Sequence, residues 1–505
     1  MNASGDGRRK EEDQRRFQPA LVAIDLGAES CRVSLLRWTE GEPSITLVHR
    51  FANGPIQVGN SLRWNIKQIC EGVVVGLREC AALAPEGVSA IGVDGWAVDY
   101  VRLGHDGQPV SNPYCYRDER NLTAMKQVHA RISPERLYAL SGVQILPLNT
   151  LYQLYADGAS GKEQNTPWQN LPEFLLSYLG GRRVSEYTNA THTQMLDVHA
   201  HEWSREIFQT AGLDMNAAPP VVKPGTLIGR VQGPLASLPA FRNTQLIAPA
   251  CHDTASAIAG IPVDGDDWAF ISSGTWSLVG AVLDAACVSE AARRDNFSNE
   301  GGVGGKIYFL KNVNGMWLLR QCMEHWEKQG RAWTIAELVR ECASLPAPEA
   351  VIDVDEPSLL LPGEMPARIN KLLAAAGTRA IAEEPQLAPQ VASLIFHSLA
   401  ARYAAVLQGL MQITGKRLRK LCIVGGGGKN ALLNQLTARS TRLEVFTGAA
   451  ESATVGNFAV QLAALGGGST AEQGVKCSAV AAWAGRLTAS RAQSAPTVME
   501  PAAIS

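Results

Sequence analysis

The stretch A-P-A-C-H-D-T-A-S-A-I-A-G-I-P (248–262) is followed, after a short spacer, by W-A-F-I-S-S-G-T-W-S-L-V-G (268–280). It sets a carboxylate, Asp253, at a loop-to-helix junction, then an apolar strand ending in the small-residue turn Ser272-Ser273-Gly274-Thr275. A carboxylate can take a proton from a hydroxyl. A turn of Ser, Gly and Thr can offer backbone N–H groups to phosphate oxygens, because no bulky side chain blocks their approach. Base and phosphate cradle in succession point to phosphoryl transfer to an alcohol. The same residues also fit plainer roles, with Asp253 or Thr254 as a helix N-cap and Ser-Ser-Gly-Thr as a simple turn.

Working outward, A-I-D-L-G-A-E-S (23–30) superposes on F-I-S-S-G-T-W-S (270–277), apolar pair over apolar pair and Gly27 over Gly274. Each reads as strand, tight turn, strand. Two hairpins of one design suggest two related domains, each offering one turn to a shared cleft. Asn65–Leu83 reads as a helix. Val88–Val93 reads as a buried strand running into Asp94-Gly95-Trp96-Ala97-Val98-Asp99, and Tyr100–Pro109 as a hairpin around His105-Asp106-Gly107. Strand ends collect function, and Trp96 could give a sugar a flat apolar face or simply fill the core. Tyr116-Arg117-Asp118-Glu119-Arg120 alone would be a solvated charged face. Residues 157–168 read as a loop, and Tyr187–Thr191 as a small polar run.

Past a boundary placed between 258 and 259, N-E-G-G (299–302) precedes K-N-V-N-G (311–315), which leads into a helix over Met316–Glu327. The proline-rich stretch 346–366 reads as irregular. Val391–Thr414 carries a helical apolar stripe closed by Gly415. Strand Leu421–Val424 runs into Gly425-Gly426-Gly427-Gly428-Lys429-Asn430 and a helix over Leu432–Arg439. Four glycines there bring backbone close to a flat or anionic ligand, or form a flexible bend. They match neither the Walker A pattern nor G-x-G-x-x-G.

The 505 residues, 46% hydrophobic and 19% charged with formal net charge −2, suit two or more globular domains. Near-neutral charge argues against nucleic acid or a membrane surface as main partner. The ten scattered cysteines fit reduced thiols rather than disulfides or zinc. Residues 1–17 are polar and lack a signal-peptide core, and residues 488–505 read as a loose tail. A cytoplasmic protein is expected, and the sequence sets no oligomeric state.

The succession of hairpin, strand-end Asp-Gly-Trp, Asp at a helix start, second hairpin and Gly-rich turn resembles the FGGY carbohydrate kinases, of the actin/hexokinase-like superfamily. Matching stretches over residues 20–465 include Y-R-D-E-R (116–120), L-N-T-L-Y-Q-L (148–154), E-Y-T-N-A-T-H-T-Q (186–194), K-N-V-N-G-M-W-L-L (311–319) and E-S-A-T-V-G-N (451–457). The resemblance implies an α/β fold of two ribonuclease-H-like domains flanking a catalytic cleft. It implies Asp253 as general base, with His252, Thr254, Asn312, Trp96 and Ala97 around the sugar. Ala28, Glu29, Ser30, Cys31, Arg32, Thr275, Arg320 and Gly426 would meet ATP, and Asp25 would position Mg²⁺ through water. The implied substrate is a ketose, nearest to L-rhamnulose, phosphorylated at its 1-position in L-rhamnose catabolism.

The sequence departs from the family pattern at three places: Glu29 and Cys31 in the first turn, Gly95 and Ala97 at the strand end, and Arg320 where glutamine is expected. Glu29 would set an acid near phosphates, and the Ala97 methyl could crowd a sugar hydroxyl. The alternatives are a kinase for another ketose such as L-fuculose, an actin-like ATPase, or a non-catalytic sugar sensor.

Overall fold

The computed structural model describes residues 19–159, 165–263, 265–449, 451–468 and 474–489. The expected N-terminal tail (1–17) and most of the C-terminal one lie outside these residues, while Thr488 and Ala489 close a helix, Cys477–Ala489.

Two six-stranded mixed sheets organise the chain. The first uses β1 (Ala20–Leu26), β2 (Ser30–Thr39), β3 (Glu42–Ala52), β4 (Val88–Gly95), β5 (Thr226–Arg230) and β6 (Gln245–Ala248), in the order β5-β6-β4-β1-β2-β3. The second uses β7 (Trp268–Ser273), β8 (Trp276–Leu283), β9 (Ser298–Gly301), β10 (Ile307–Asn314), β11 (Lys420–Val424) and β12 (Glu444–Thr447), in the order β9-β10-β8-β7-β11-β12. Three antiparallel strands continuing into two parallel ones recur in both, as β3-β2-β1-β4-β6 and β10-β8-β7-β11-β12. The sequence echo is therefore a structural one: β1–β2 and β7–β8 are equivalent hairpins, and the fold is the two-domain α/β arrangement expected.

Helices α1 (Ile66–Leu83), α2 (Tyr187–His192), α3 (Asp253–Ala259), α4 (Trp317–Lys328), α5 (Ala388–Thr414), α6 (Ala431–Thr441) and α7 (Ser452–Ala463) build the layers. Asn65 caps α1 by accepting from the Gln68 N–H, and Gly415 ends α5 in the left-handed conformation. By length and composition α5 is the one described helix that could cross a membrane. It is instead a core helix, with Leu394, Leu399, Tyr403 and Leu407 packed against the second sheet's outer face.

Between the two sheets lies a shared core of α3 and α7. Here Leu21, Ala23 and Ile247 of the first sheet meet Phe270, Cys422 and Val424 of the second across Ala255, Val455 and Phe458. The helices touch backbone to backbone. A Cβ on Gly456 would lie 1.8 Å from the Ser256 carbonyl oxygen, and one on Gly260 2.5 Å from that of Ser452. Gly260, a punctuation mark in the sequence, is thus a packing requirement. The boundary drawn at 258/259 falls in the last turn of α3.

Some local expectations need correction. Residues 157–159 are not loop but finish a helix, Thr150–Ala159, and Trp168 begins a strand. That strand, Trp168–Asn170, pairs with Tyr100–Arg102. The expected hairpin over Tyr100–Pro109 shrinks to a Leu103–Pro109 bridge, because the non-local partner satisfies the strand's backbone instead. The Tyr116–Arg120 cluster is no solvated face. Asp118 accepts from the Leu62 N–H at 2.8 Å, Arg120 pairs with buried Asp157, and Arg117 crosses to the second domain. There Arg117 donates to the Leu360 carbonyl and lies 3.9 Å from the Trp317 ring centroid, a cation–π contact.

Candidate active site

A cleft of about 1120 Å³ opens between the sheets, lined by both hairpin turns, the start of α3 and the four-glycine turn. Parallel and antiparallel register sets Arg32, Asp25 and Asp94 side by side across β2, β1 and β4. Asp25 accepts from Arg32 at 2.8 Å, and Glu451 stands 3.7 Å from the other edge of the guanidinium. Asp94 is wholly buried. One of its oxygens accepts from Asn457 of α7 at 2.6 Å, and the other has no hydrogen-bond partner.

Asp253 is the first residue of α3, and neither it nor Thr254 is the N-cap; that position is His252, whose side chain makes no capping bond. The Thr254 hydroxyl reaches the Asp253 carboxylate at 3.2 Å. Asp253 keeps 34% of its side-chain surface open to the cleft, yet lies deep between the two lobes. Loss of bulk water there, with repulsion from Asp25 second, pushes its carboxyl up to about 6. Desolvation also raises Asp25 and, further, Asp94, which Asp25 repels. Three neighbouring carboxylates thus compete for too little positive charge.

The loop carrying His252 and Asp253 is fixed by the small polar run. Glu186, at the start of α2, accepts from the Cys251 N–H at 2.7 Å and from Thr188, whose hydroxyl accepts from the His252 N–H at 3.1 Å. Burial pushes the Glu186 carboxyl up to about 8. These residues carried a sequence match but no role, since their function is to hold another loop.

Trp96 is 7% exposed: one edge lines the cleft while its indole N–H donates to Asp99 at 3.0 Å and its ring packs 4.5 Å from Trp64. Beside it Val98 adopts a φ of 68°, strained for a β-branched residue. Its carbonyl accepts from Thr150 at 2.7 Å and from Gln153, which holds the strand end in that shape. Asn312 commits its side-chain nitrogen to Gln144 at 3.1 Å, leaving its oxygen for another donor.

At the other end, Glu29 bridges the two domains. It accepts from the Thr275 hydroxyl at 3.0 Å and forms an ion pair with Arg320. Two of the departures from the family pattern are therefore complementary: the acid on the first turn faces the added base on the second domain. Arg50 and Lys429, which the motifs did not flag, add cations to Arg32 and Arg320 along the lining. Cys31 does not belong here. It points into the core, fully buried on β2, and burial pushes its thiol up to about 12. All ten cysteines are free.

The glycine turn divides its labour. Gly425 has a φ of 83°, and a Cβ on it would meet the Ser273 carbonyl oxygen at 2.7 Å; one on Gly427 would lie 1.9 Å from the Ser273 hydroxyl. A Cβ on Gly426 would meet nothing within 4 Å. Two glycines seat the turn on the second hairpin and the third faces open cleft.

Two domain profiles of the FGGY family of carbohydrate kinases match the chain, the N-terminal one over residues 20–260 and the C-terminal one over 269–465. The chain belongs to the FGGY family of carbohydrate kinases. This FGGY kinase is 35% identical over 463 residues to a rhamnulokinase of Enterococcus faecalis, covering 91% of each chain. It is 37% identical over 454 residues to a rhamnulokinase of Pectobacterium carotovorum subsp. carotovorum, covering 88% of each. Its fold resembles a gluconate kinase from Lactobacillus acidophilus (TM-score 0.71, 15% identity, 95% and 99% of the two chains). It also resembles Plasmodium falciparum glycerol kinase with ADP (TM-score 0.71, 12% identity, 92% of each). The kinase is thus an ATP-dependent sugar phosphotransferase.

Proposed function

We propose that this kinase phosphorylates the 1-hydroxyl of L-rhamnulose, with Asp253 as general base. The observation that carries the reading is Asp253 itself: a carboxyl held near 6 by burial, at the cleft floor between the two hairpin turns. Such a base is ionised at neutral pH yet basic enough to draw a proton as the hydroxyl attacks. Thr254 steadies the carboxylate, and the Glu186–Thr188 pair holds its loop. His252, the free oxygen of Asn312 and the edge of Trp96 offer a mixed polar and apolar surface. That mixture suits a 6-deoxy ketose, and the rhamnulokinase relatives support the same choice.

The nucleotide end fits a triphosphate. Arg32, Arg50, Arg320 and Lys429 supply positive charge, the two hairpin turns supply small-residue backbone, and Gly426 leaves room for a flat group. ATP bound there supplies the phosphoryl group. The orphaned oxygen of Asp94 and the repulsion among Asp25, Asp94 and Asp253 fit a Mg²⁺ ion, which Asp25 and Asp94 would hold and which would offset phosphate charge. Domain closure would then exclude water from the reacting groups.

A panel of ketoses with ATP and Mg²⁺ tests the assignment. L-rhamnulose should have the highest kcat/KM, and Ala97→Gly should broaden the range without abolishing activity. A site that hydrogen-bonds one hydroxyl can reject its epimer by up to ~10⁴-fold. L-fuculose or D-xylulose better by about tenfold would overturn the rhamnulose assignment and leave the sugar kinase.

A further inference from the structure

We propose that His192, His252 and Glu300 form a binding site for a transition-metal dication of the zinc class, at the sugar end of the cleft. The three offer ligand atoms that all lie within 4.8 Å of one another. His192 Nε2 is 2.7 Å from Glu300 Oε2, and His252 Nδ1 is 3.8 Å from the same oxygen. The short contact has ion-pair distance without hydrogen-bond alignment, so both Glu300 oxygens and His192 Nε2 are buried with no hydrogen bond.

A carboxylate with 1% of its side chain exposed and no hydrogen bond is costly unless a cation faces it. Among the described residues its only ion-pair partners are these two imidazoles; no Lys or Arg reaches it. The rings stand 4.2 Å apart, edge to face.

Two imidazoles and one carboxylate select zinc-like ions over Mg²⁺ or Ca²⁺, which prefer oxygen alone. Metal–ligand bonds of about 2.0–2.2 Å span a triangle of this size with small side-chain shifts. Both histidines line the cleft, so a fourth position is open to water or a hydroxyl. The arrangement also has the outer partner that metal-bound histidines use: the second nitrogen of His252, Nε2, faces Asp253 at 3.4 Å. With a metal on Nδ1, the His252 proton sits on Nε2 and points at Asp253. Zinc should therefore inhibit by occupying the base and blocking the sugar, a consequence that rests on the sugar-site reading above; metal binding itself does not.

The test is direct binding, without sugar or nucleotide. Metal-stripped full-length protein in excess Mg²⁺ is dialysed against zinc chloride, and bound zinc is measured by elemental analysis. One zinc per chain is expected, and His192→Ala and Glu300→Gln should each weaken it by at least about tenfold. Cobalt in the wild-type protein should give visible d–d bands without a thiolate charge-transfer band. This readout decides the matter even if a variant fails to fold. No stoichiometric zinc, binding unchanged in both folded variants, or a thiolate band would each overturn the site. None of these outcomes bears on the ketose panel.

Discussion

Gly426 and Gly427 are adjacent, yet substituting each by alanine should fail in opposite ways. At Gly427 the new methyl would stand 1.9 Å from the Ser273 hydroxyl and 2.7 Å from its Cβ, so the turn must lift off the second hairpin. Overpacking of this kind costs about 1–3 kcal/mol. In a domain of this size that lowers Tm by roughly 2–12 °C. At Gly426 the methyl meets nothing within 4 Å, and its φ is not in the left-handed region, so folding is not penalised. Loss of unfolded-chain freedom should even stabilise by about 0.4–1 kcal/mol. The methyl does, however, stand where the nucleotide is proposed to lie. One misplaced carbon in such a pocket is worth about 10–200-fold, read here as a raised KM for ATP. Thermal melts and ATP titrations at saturating ketose measure both effects. If Gly426→Ala melted as early as Gly427→Ala, or kept its KM for ATP, the division of labour in the turn would be wrong.

Asp253→Asn keeps the shape but removes the base, so turnover should fall about 10²–10⁴-fold while ATP still binds; near-normal turnover would remove Asp253 from its role. Because burial raises the Asp253 carboxyl to about 6, its base form is populated only above that value. Sugar kcat/KM should therefore fall as pH drops through 6, and a flat profile between about pH 5 and 8 would contradict the shift. Glu29→Gln and Arg320→Gln should each alter the KM for ATP, with the double variant no worse than the worse single one. Both side chains are nearly half exposed, at 44% and 46%, so their coupling should be about 0.2–1 kcal/mol, and strictly additive effects would refute the latch. Raised to about 8, Glu186 is more protonated folded than unfolded. It favours the fold most below the ordinary carboxyl range, and that contribution is lost as pH rises toward 8. Glu186→Gln should flatten this fall in Tm between about pH 5 and 8, and an unchanged slope would argue against the assignment.

Much of the fold was legible because it is locally encoded. The two hairpins needed only apolar alternation and a glycine at each bend, and helix α5 needed only its stripe and Gly415. Asp253 was legible as a carboxylate at a helix start ahead of a small-residue turn, and the family resemblance implied its role as base. What the sequence could not decide is whatever depends on a partner far along the chain. Tyr100–Arg102 looked like half a local hairpin because its partner, Trp168–Asn170, lies beyond three helices. Cys31 stood inside a phosphate-type motif, but strand alternation turned its side chain into the core while Arg32 faced the cleft. Glu29 and Arg320 read as two separate defects because 290 positions of chain hide an ion pair. Spacing fixes which face a side chain takes within one strand or helix; only packing of the two sheets around α3 and α7 fixes which charges meet. The sequence by itself therefore determined most of the elements and the duplicated hairpins, and singled out Asp253 as the candidate base. Tertiary structure alone decided the Asp94–Asn457 support, the Glu29–Arg320 contact and the buried His192–His252–Glu300 cluster, because each joins residues from different elements at distances no local pattern records.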